Sequence, residues 1–128
     1  MKRTLCLFAI VLFVGIPFSL SADAYDQSFA VQNMRNNVAR ISIVKNAVAA
    51  NDFHAAGAAF FAYGDDAATM QKMDPPKGSK EEWVKLWSSF QDVAFRGVGA
   101  CGERDAEKTL KILDELAAFS KTGHMSFR

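Results

Sequence analysis

Two residues near opposite ends of the sequence carry side chains that can bind a transition metal. His124 lies on an apolar stripe of the last predicted helix, together with Leu113, Ala117 and Ser120. A neutral imidazole inside a protein needs a partner for each ring nitrogen, and this stripe offers few hydroxyls or carboxylates. Met34 lies on the apolar stripe of the first predicted helix, near its start. The alternatives are a hydrogen-bonded core histidine and a core-filling methionine, or a pair of metal ligands.

The elements that must position these residues are predicted to be helices. Apolar residues recur every three or four positions in four stretches, which is the spacing of amphipathic α-helices. Alternation typical of strands is weak throughout. The stripes comprise Val31, Met34, Val38, Ile41, Val44 and Val48; Phe53, Ala56, Phe60, Tyr63, Ala67 and Met70; Trp83, Leu86, Trp87, Phe90 and Ala94; and Leu110, Leu113, Ala117, Ser120, His124 and Phe127.

Turn residues separate the four stripes. The pair at positions 51–52 interrupts the first run and can cap the second helix, which the two prolines at 75–76 then end. Ser79, with Glu82 three residues later, predicts a capping box at the start of the third helix. The glycine-rich run at residues 97–102 predicts the turn before the fourth helix.

Four amphipathic helices with mostly short connections predict an all-α protein, an antiparallel up-down-up-down four-helix bundle. In this topology the first helix runs antiparallel to the last, so the start of one lies beside the end of the other. Met34 and His124 are thereby brought to the same level of the bundle. A thioether and an imidazole that face each other across an apolar cleft are the axial ligands of low-spin, electron-transfer haem.

Composition, charge and the first residues of the chain indicate the class of protein and its location. The chain has 128 residues and a formal net charge of +1, so it fits one domain and lacks the basic surplus of a nucleic-acid-binding protein. Residues 1–24 match a signal peptide: a basic start, an apolar run at 5–20, and an A-x-A-like site that ends at Ala24. Cleavage after Ala24 leaves residues 25–128 as an exported periplasmic bundle, with no stable membrane insertion expected. The mature chain then has balanced charge and one cysteine, Cys101.

Other candidate residues point less clearly to chemistry. His54 falls in the first turn of the second helix, away from Met34, and is expected at the surface. Cys101, in the predicted glycine-rich turn, is expected to be a free thiol or to link two chains, so a monomer and a weak dimer both stay open. Asp65 and Asp66 have no partner at metal-ligand spacing. The Glu-x-x-His pattern of di-iron bundles is absent.

The end of the chain carries a motif of a known family. The last helix of the cytochrome c-prime superfamily ends in C-x-x-C-H-x-x-[FY]-R, and this sequence resembles it, with His124, Phe127 and Arg128 at the last three motif positions. Ser120 and Gly123 stand where the two cysteines would be. The resemblance is therefore closest to the b-562 branch, soluble periplasmic cytochromes that lack those cysteines and hold haem without covalent bonds.

The resemblance covers the whole of residues 25–128. The first helix of the b-562 branch carries an N-M-x-x-L-x-x-N-L-like stretch whose methionine is the sixth iron ligand, and residues 33–41 look like it. Two family aromatics that pack against haem fall on Trp83 and Trp87. The resemblance implies that Met34 and His124 coordinate the iron of one haem b.

The function implied is periplasmic electron transfer to redox partner proteins, without enzymatic activity. Arg128 is expected near a haem propionate, with Arg35 or Arg40 as possible additional partners. The alternative is a bundle of the same superfamily that has lost its haem and acts as a binding, interaction or copper-binding protein. Ser120 and Gly123 favour that alternative, because the b-562 branch has an arginine and an aromatic residue there.

Overall fold

Four α-helices make up most of the chain that the computed structural model describes, residues 23–127. They are α1 (Gln27–Ala49), α2 (Phe53–Lys72), α3 (Lys80–Gly102) and α4 (Ala106–Phe127). Within residues 23–127 the only strand-like pairing is an isolated parallel bridge between Asp23 and Met73. The predicted all-α class is confirmed. Residues 1–22 of the expected signal peptide, and Arg128, lie outside the described residues.

The helices run antiparallel to their neighbours and form a bundle. Only residues 50–52 join α1 to α2, and the Tyr63 hydroxyl near the middle of α2 donates to the Asn37 carbonyl near the middle of α1 at 2.8 Å, so the two helices pack side by side in opposite directions. The Phe90 and Phe119 rings pair α3 with α4 at a centroid distance of 6.0 Å. Each helix contacts the next one in sequence. The last helix, α4, also contacts α1, and this contact is the sparsest of the four. None of the helices within residues 23–127 combines the length and hydropathy needed to cross a bilayer.

Two of the predicted helix boundaries are confirmed by their caps. The Asp52 side chain accepts from the Ala55 amide at 3.0 Å at the start of α2. The Ser79 hydroxyl accepts from the Glu82 amide at 3.1 Å at the start of α3. Both bonds satisfy backbone donors that have no partner within the first helical turn.

The predicted glycine-rich turn is wrong, because residues 97–102 form the last part of α3. Gly97 serves packing: a Cβ atom at this position would collide with the Phe60 ring of α2. The chain turns immediately after α3, through Glu103 and Arg104, where Arg104 has a positive φ of 56°. Gly97 therefore marks a close approach between two helices, at a place where the sequence suggests a loop.

The buried side chains form two groups. The main core fills the end of the bundle near the α1–α2 and α3–α4 turns, with Phe60, Tyr63, Phe90 and Leu113 among its members. A second, smaller group lies at the opposite end. It comprises Ala30, Met70, Met73, Trp83 and Phe127, with Tyr25, Phe29, Leu86 and Trp87 packed against it.

The buried face of α4 differs from the predicted stripe. Leu110 and Ala117 are exposed, whereas Ile112 and Leu116 are buried. Since α4 packs far more closely on α3 than on α1, the side turned to α3 is covered and the side turned to α1 stays open. The described buried residues of α4 are Thr109, Ile112, Leu113, Leu116 and Phe127.

Candidate cofactor site

A large cavity opens where α1 and α4 separate, at the end of the bundle that holds the smaller core group. Its volume is about 620 Å³, within the range of small-molecule and cofactor sites. The start of α1, the end of α2, the start of α3 and the end of α4 all contribute to its wall. The 74–79 loop also contributes, through Pro76 and Lys77.

Met34 and His124, the two ligands predicted from the sequence, both line this cavity. Met34 is half-buried on α1. His124 is exposed on α4, so the interpretation as a hydrogen-bonded core histidine is wrong. Within residues 23–127 neither ring nitrogen of His124 has a hydrogen-bond partner. The imidazole therefore keeps a lone pair available for a group that enters the cavity.

Trp83 and Trp87, the predicted haem-packing aromatics, form part of the same wall. Their ring centroids lie 5.6 Å apart in an edge-to-face arrangement. Trp83 is buried, and its indole N–H donates to the Met70 carbonyl at 2.7 Å, which fixes the orientation of the ring. The two indoles give one side of the cavity a rigid aromatic surface.

Two polar atoms in residues of the cavity wall are buried without a partner. They are Asn33 Oδ1 and Trp87 Nε1, and within the described residues neither has a hydrogen bond. Leaving such an atom unsatisfied typically costs about 1–3 kcal/mol. A group that enters the cavity, or a bound water, could supply the missing partners.

Exposed apolar side chains of α1 also border the cavity. Val38 is 69% exposed and Val31 36% exposed, although the sequence predicts both on the buried stripe. Except at Val44, the predicted stripe is therefore not the buried face of α1, which comprises Ala30, Asn33, Val44 and Ala47. In the first half of α1 the stripe borders the cavity. A bound apolar group would cover this surface, at roughly 25 cal/mol for each Å² removed from water.

The cationic residues proposed to meet haem propionates are only partly brought to the site. Arg40 lies against α2, 2.6 Å from the Asp66 carboxylate, with its guanidinium 5.4 Å from the Tyr63 ring centroid. Arg35 is exposed, and neither arginine lines the cavity. Lys77, which the sequence did not single out, does line it. Arg128 lies outside the described residues.

Ser120 and Gly123, at the positions of the family's cysteines, also line the cavity. A Cβ atom at Gly123 would meet Leu86 Cδ2 at 3.5 Å, an ordinary van der Waals distance. The glycine is thus not required by packing. Its absent side chain leaves room beside His124.

The other sequence candidates lie away from the cavity. His54 is exposed on the first turn of α2, as predicted. Asp66 pairs with Arg40. Cys101 is a free thiol buried within α3, so the prediction that it lies in a turn is wrong. Burial raises the pKa of this thiol, against a smaller lowering by its hydrogen bond with Thr109, which makes a link between two chains unfavourable.

Sequence reasoning missed several cavity residues. Met70 is a second methionine in the wall. Because it lies on the predicted apolar stripe of α2, the sequence predicts only that it fills the core. Asn33 precedes Met34 in the family-like stretch, yet nothing in its type predicted a buried unpaired oxygen. Tyr25 precedes the first helix and carried no signal. Across residues 23–127 no group of three or more His, Cys, Asp or Glu side chains could hold a metal ion.

Comparison with known proteins gives no relative. No family model, curated protein or solved structure matches the chain.

Proposed function

We propose that this protein is a periplasmic electron carrier that binds one haem b non-covalently, with Met34 and His124 as axial ligands. One observation carries the proposal. Residue type and helix order predict Met34 and His124, the family resemblance predicts Trp83 and Trp87, and all four line a single cavity. They lie on α1, α3 and α4, and these three segments are far apart in sequence, so their shared wall is not a consequence of chain proximity.

The cavity suits a flat, largely apolar group with polar edges. Its wall is mostly apolar, and the aromatic surface of Trp83 and Trp87 can pack against a macrocycle. Met34 and His124 come from α1 and α4, the two helices that separate to form the cavity. Met34 and His124 would hold the haem iron, through a thioether and an imidazole supplied by different helices.

The two side chains also set the kind of chemistry. When bound, haem would supply a one-electron iron couple. Two strong axial ligands leave no coordination position for a substrate, so the residues favour electron transfer over catalysis. Methionine ligation raises the reduction potential relative to a bis-histidine site, which predicts a carrier of fairly high potential.

Retention of haem would rest on coordination and burial. No cysteine stands at Ser120 or Gly123 to form a thioether bond. The exposed apolar surface of Val31 and Val38 gives a bound group area to cover. Lys77 in the wall, and Arg128 as expected from the sequence, supply cationic groups for the haem carboxylates.

The partners follow from the same proposal. A single-electron carrier exported to the periplasm would exchange electrons with redox proteins there. The balanced charge of residues 25–128 gives no reason to expect nucleic acid as a partner.

A second candidate function is favoured by the packing of the main core. The members of that group, such as Phe60 and Leu113, are buried by the helices themselves and need no bound molecule to cover them. A bundle of this kind can fold without haem and use the cavity to bind another apolar molecule. In a variant of this alternative, Met34 and His124 bind copper. Metal analysis of the purified protein separates copper from iron.

Matched substitutions test the ligand assignment. Met34→Leu and Met70→Leu each remove a thioether from the cavity wall at nearly constant volume. In protein reconstituted with hemin and reduced, Met34→Leu should convert the absorption spectrum to a weaker-field form, and Met70→Leu should leave the low-spin spectrum intact.

The histidines offer the same comparison. His124→Ala should abolish the low-spin spectrum, whereas His54→Ala, on the exposed first turn of α2, should not change it. Equal spectra for Met34→Leu and Met70→Leu, or for the two histidine variants, would contradict the assignment.

A further inference from the structure

Two phenylalanine rings project from the face that α2 and α3 form on the outside of the bundle, away from the cavity. Phe61 is 58% exposed and Phe95 is 43% exposed, and no other phenylalanine among residues 23–127 is exposed. Their ring centroids lie 6.1 Å apart. A Cβ atom at Gly64 would lie 2.8 Å from the Phe95 ring, so this glycine lets the ring lie directly against α2. The two rings thus form a fixed apolar projection that the chain leaves uncovered.

Around Phe61, the exposed residues of α2 form a stripe with symmetric spacing. His54, Ala58, Phe61 and Asp65 are all exposed, and steps of four, three and four residues place them on one side of the helix. The spacing is the same from either end, but the chemistry is opposite. A histidine, which donates a hydrogen bond, stands where the reversed stripe has a carboxylate, and an alanine stands where it has a phenylalanine. When the stripe lies antiparallel against a copy of itself, each member therefore meets a complement.

The exposed side of α3 has the same property at the same level of the bundle. Phe95 and Gly99 are exposed and lie symmetrically about Gly97. A Cβ atom at Gly97 would collide with the ring of Phe60, which is adjacent to the midpoint of the α2 stripe. A single two-fold axis that crosses both helices can therefore bring each stripe against its own copy.

Gly99 is not required by packing within the chain, because no atom lies within 4 Å of the place that an added Cβ would take. Glycine also lowers the stability of a helix interior relative to alanine. The open space at Gly99 suits the approach of a large side chain from another molecule. On the same side of α3, Asp92 would face Gly102 of a second copy. The neighbouring Glu103 is paired with Lys108 at 2.8 Å, so Asp92 would not oppose an unpaired carboxylate.

We propose that the α2–α3 face binds the same face of a second copy of this chain, in a two-fold symmetric dimer with antiparallel α2 helices. Each large ring packs on a small residue of the partner subunit, and each histidine donates to a carboxylate. The contacts join opposite subunits and are Phe61 with Ala58, Phe95 with Gly99, and His54 with Asp65. A second copy is the occupant that the surface indicates, because one face holds both members of each complementary pair, as an isologous interface requires. None of these residues lines the cavity, so the dimer leaves it open.

The size of the matched face sets the strength of the dimer. The stripe from residue 54 to residue 65 extends about 17 Å along α2, at about 1.5 Å per residue. Two helices about 10 Å apart give the face a width of roughly 20 Å. The contact therefore covers roughly 350 Å² in projection, below the roughly 800 Å² per partner of a stable complex. The dimer should form reversibly and be populated at high protein concentration.

Sedimentation velocity of the purified protein, from the micromolar to the millimolar range, provides the first test. The sedimentation coefficient of the parent protein should rise with concentration towards that of a dimer. Phe61→Gln should raise the dissociation constant by about tenfold or more, because each subunit loses a ring that the dimer buries. Ile43→Gln is the matched control. Ile43 is 49% exposed on α1, outside the face, and its substitution should leave the dissociation constant unchanged.

An exchange of charges tests the antiparallel pairing itself. Asp65→Lys places two basic side chains opposite each other, and His54→Asp places two carboxylates opposite each other, so each variant should associate with itself less than the parent does. An equimolar mixture of the two should form a heterodimer, because the introduced lysine faces the introduced aspartate and the second contact keeps its original pair. Circular dichroism spectra and melting curves identify any variant that misfolds, and a misfolded variant would not be rescued by mixing.

A parent protein that stays monomeric throughout the concentration range would overturn the dimer. So would a Phe61→Gln protein that associates as the parent does, or a mixture that associates no more than its separate components. The samples contain no haem, so these outcomes are independent of whether the cavity binds haem.

Discussion

The ligand assignment depends on the environment of single side chains, above all His124. A histidine on an apolar stripe is ordinarily a core residue whose ring nitrogens both have partners. Here the ring lies exposed at the wall of an apolar cavity and has no hydrogen-bond partner among residues 23–127. The cavity wall also contains Met34, so two of the side chains that commonly bind haem iron border the same space.

Tyr63 leads to a prediction about pH. Its pKa is raised from 10.0 to about 12 in the folded protein, mainly by burial. Because the neutral phenol is favoured in the fold, Tyr63 contributes stability that is fully present below pH 10. That contribution is lost as the pH rises from 10 to about 12. The denaturant midpoint of the parent protein should fall through this interval by more than that of Tyr63→Phe.

The comparison between the two proteins isolates the phenol, since both share every other group that titrates at high pH. Parallel curves for the parent and Tyr63→Phe between pH 10 and 12 would show that the buried phenol is not the cause. Below pH 9 the variant should differ only by the lost hydrogen bond to Asn37, on the order of 1 kcal/mol.

At the scale of elements, two glycines in the last two turns of α3 test whether this segment is a packed helix or a turn. A Cβ at Gly97 would collide with the Phe60 ring, so Gly97→Ala should lower the free energy of unfolding by about 1–3 kcal/mol. Gly99 lies in the same helix, and no atom lies within 4 Å of the place that an added Cβ would take. Gly99→Ala should therefore raise the free energy of unfolding by about 0.5–1 kcal/mol, through the higher helix propensity of alanine.

Urea denaturation of both variants provides the measurement. If residues 97–102 formed a turn, Gly99→Ala would give no gain, and the opposite signs expected for the two variants would not be seen.

The elements themselves follow largely from the sequence. Periodicity and the caps at Asp52 and Ser79 predict four helices, because both signals act within a few residues of chain. The sequence wrongly predicts a turn at the end of α3, because glycine occurs both in turns and where two helices pack closely. Only the position of Phe60 on another helix distinguishes the two. The sequence also predicts the wrong buried face for α4, for a similar reason. Which side of an amphipathic helix is covered depends on how closely each neighbour approaches.

The site shows the same division between local and tertiary information. Helix order predicts that Met34 and His124 lie at the same level of the bundle, and the family resemblance predicts Trp83 and Trp87 beside them. The sequence does not predict that Asn33 and Met70 belong to the site, because both do so only by lining the cavity. The cavity itself depends on how far α1 and α4 lie apart, which is a tertiary property.

At the scale of the whole molecule, the bundle has one closely packed end and one end that contains the cavity. The main core contains residues from all four helices. By contrast, α1 and α4 contact each other only sparsely, and the cavity lies between them. In the absence of haem, backbone amides near Met34 and His124 should exchange hydrogen faster than those near Val44 and Leu113.

Hemin should slow exchange selectively at the cavity end, and hydrogen-exchange mass spectrometry resolves the two regions. The peptides around Met34 and His124 should gain protection, and those from the main core should change less. Uniform protection, or none, would show that hemin does not bind between α1 and α4.

The most direct test of the central claim is a titration of the purified, haem-free protein with hemin, followed by absorption spectroscopy. The proposal predicts a Soret band that grows to an end point of one hemin per chain. It further predicts a low-spin spectrum on reduction and a melting temperature that rises with hemin concentration. Absence of a saturable Soret change, with no shift in the melting temperature, would contradict the assignment of this cavity as a haem site.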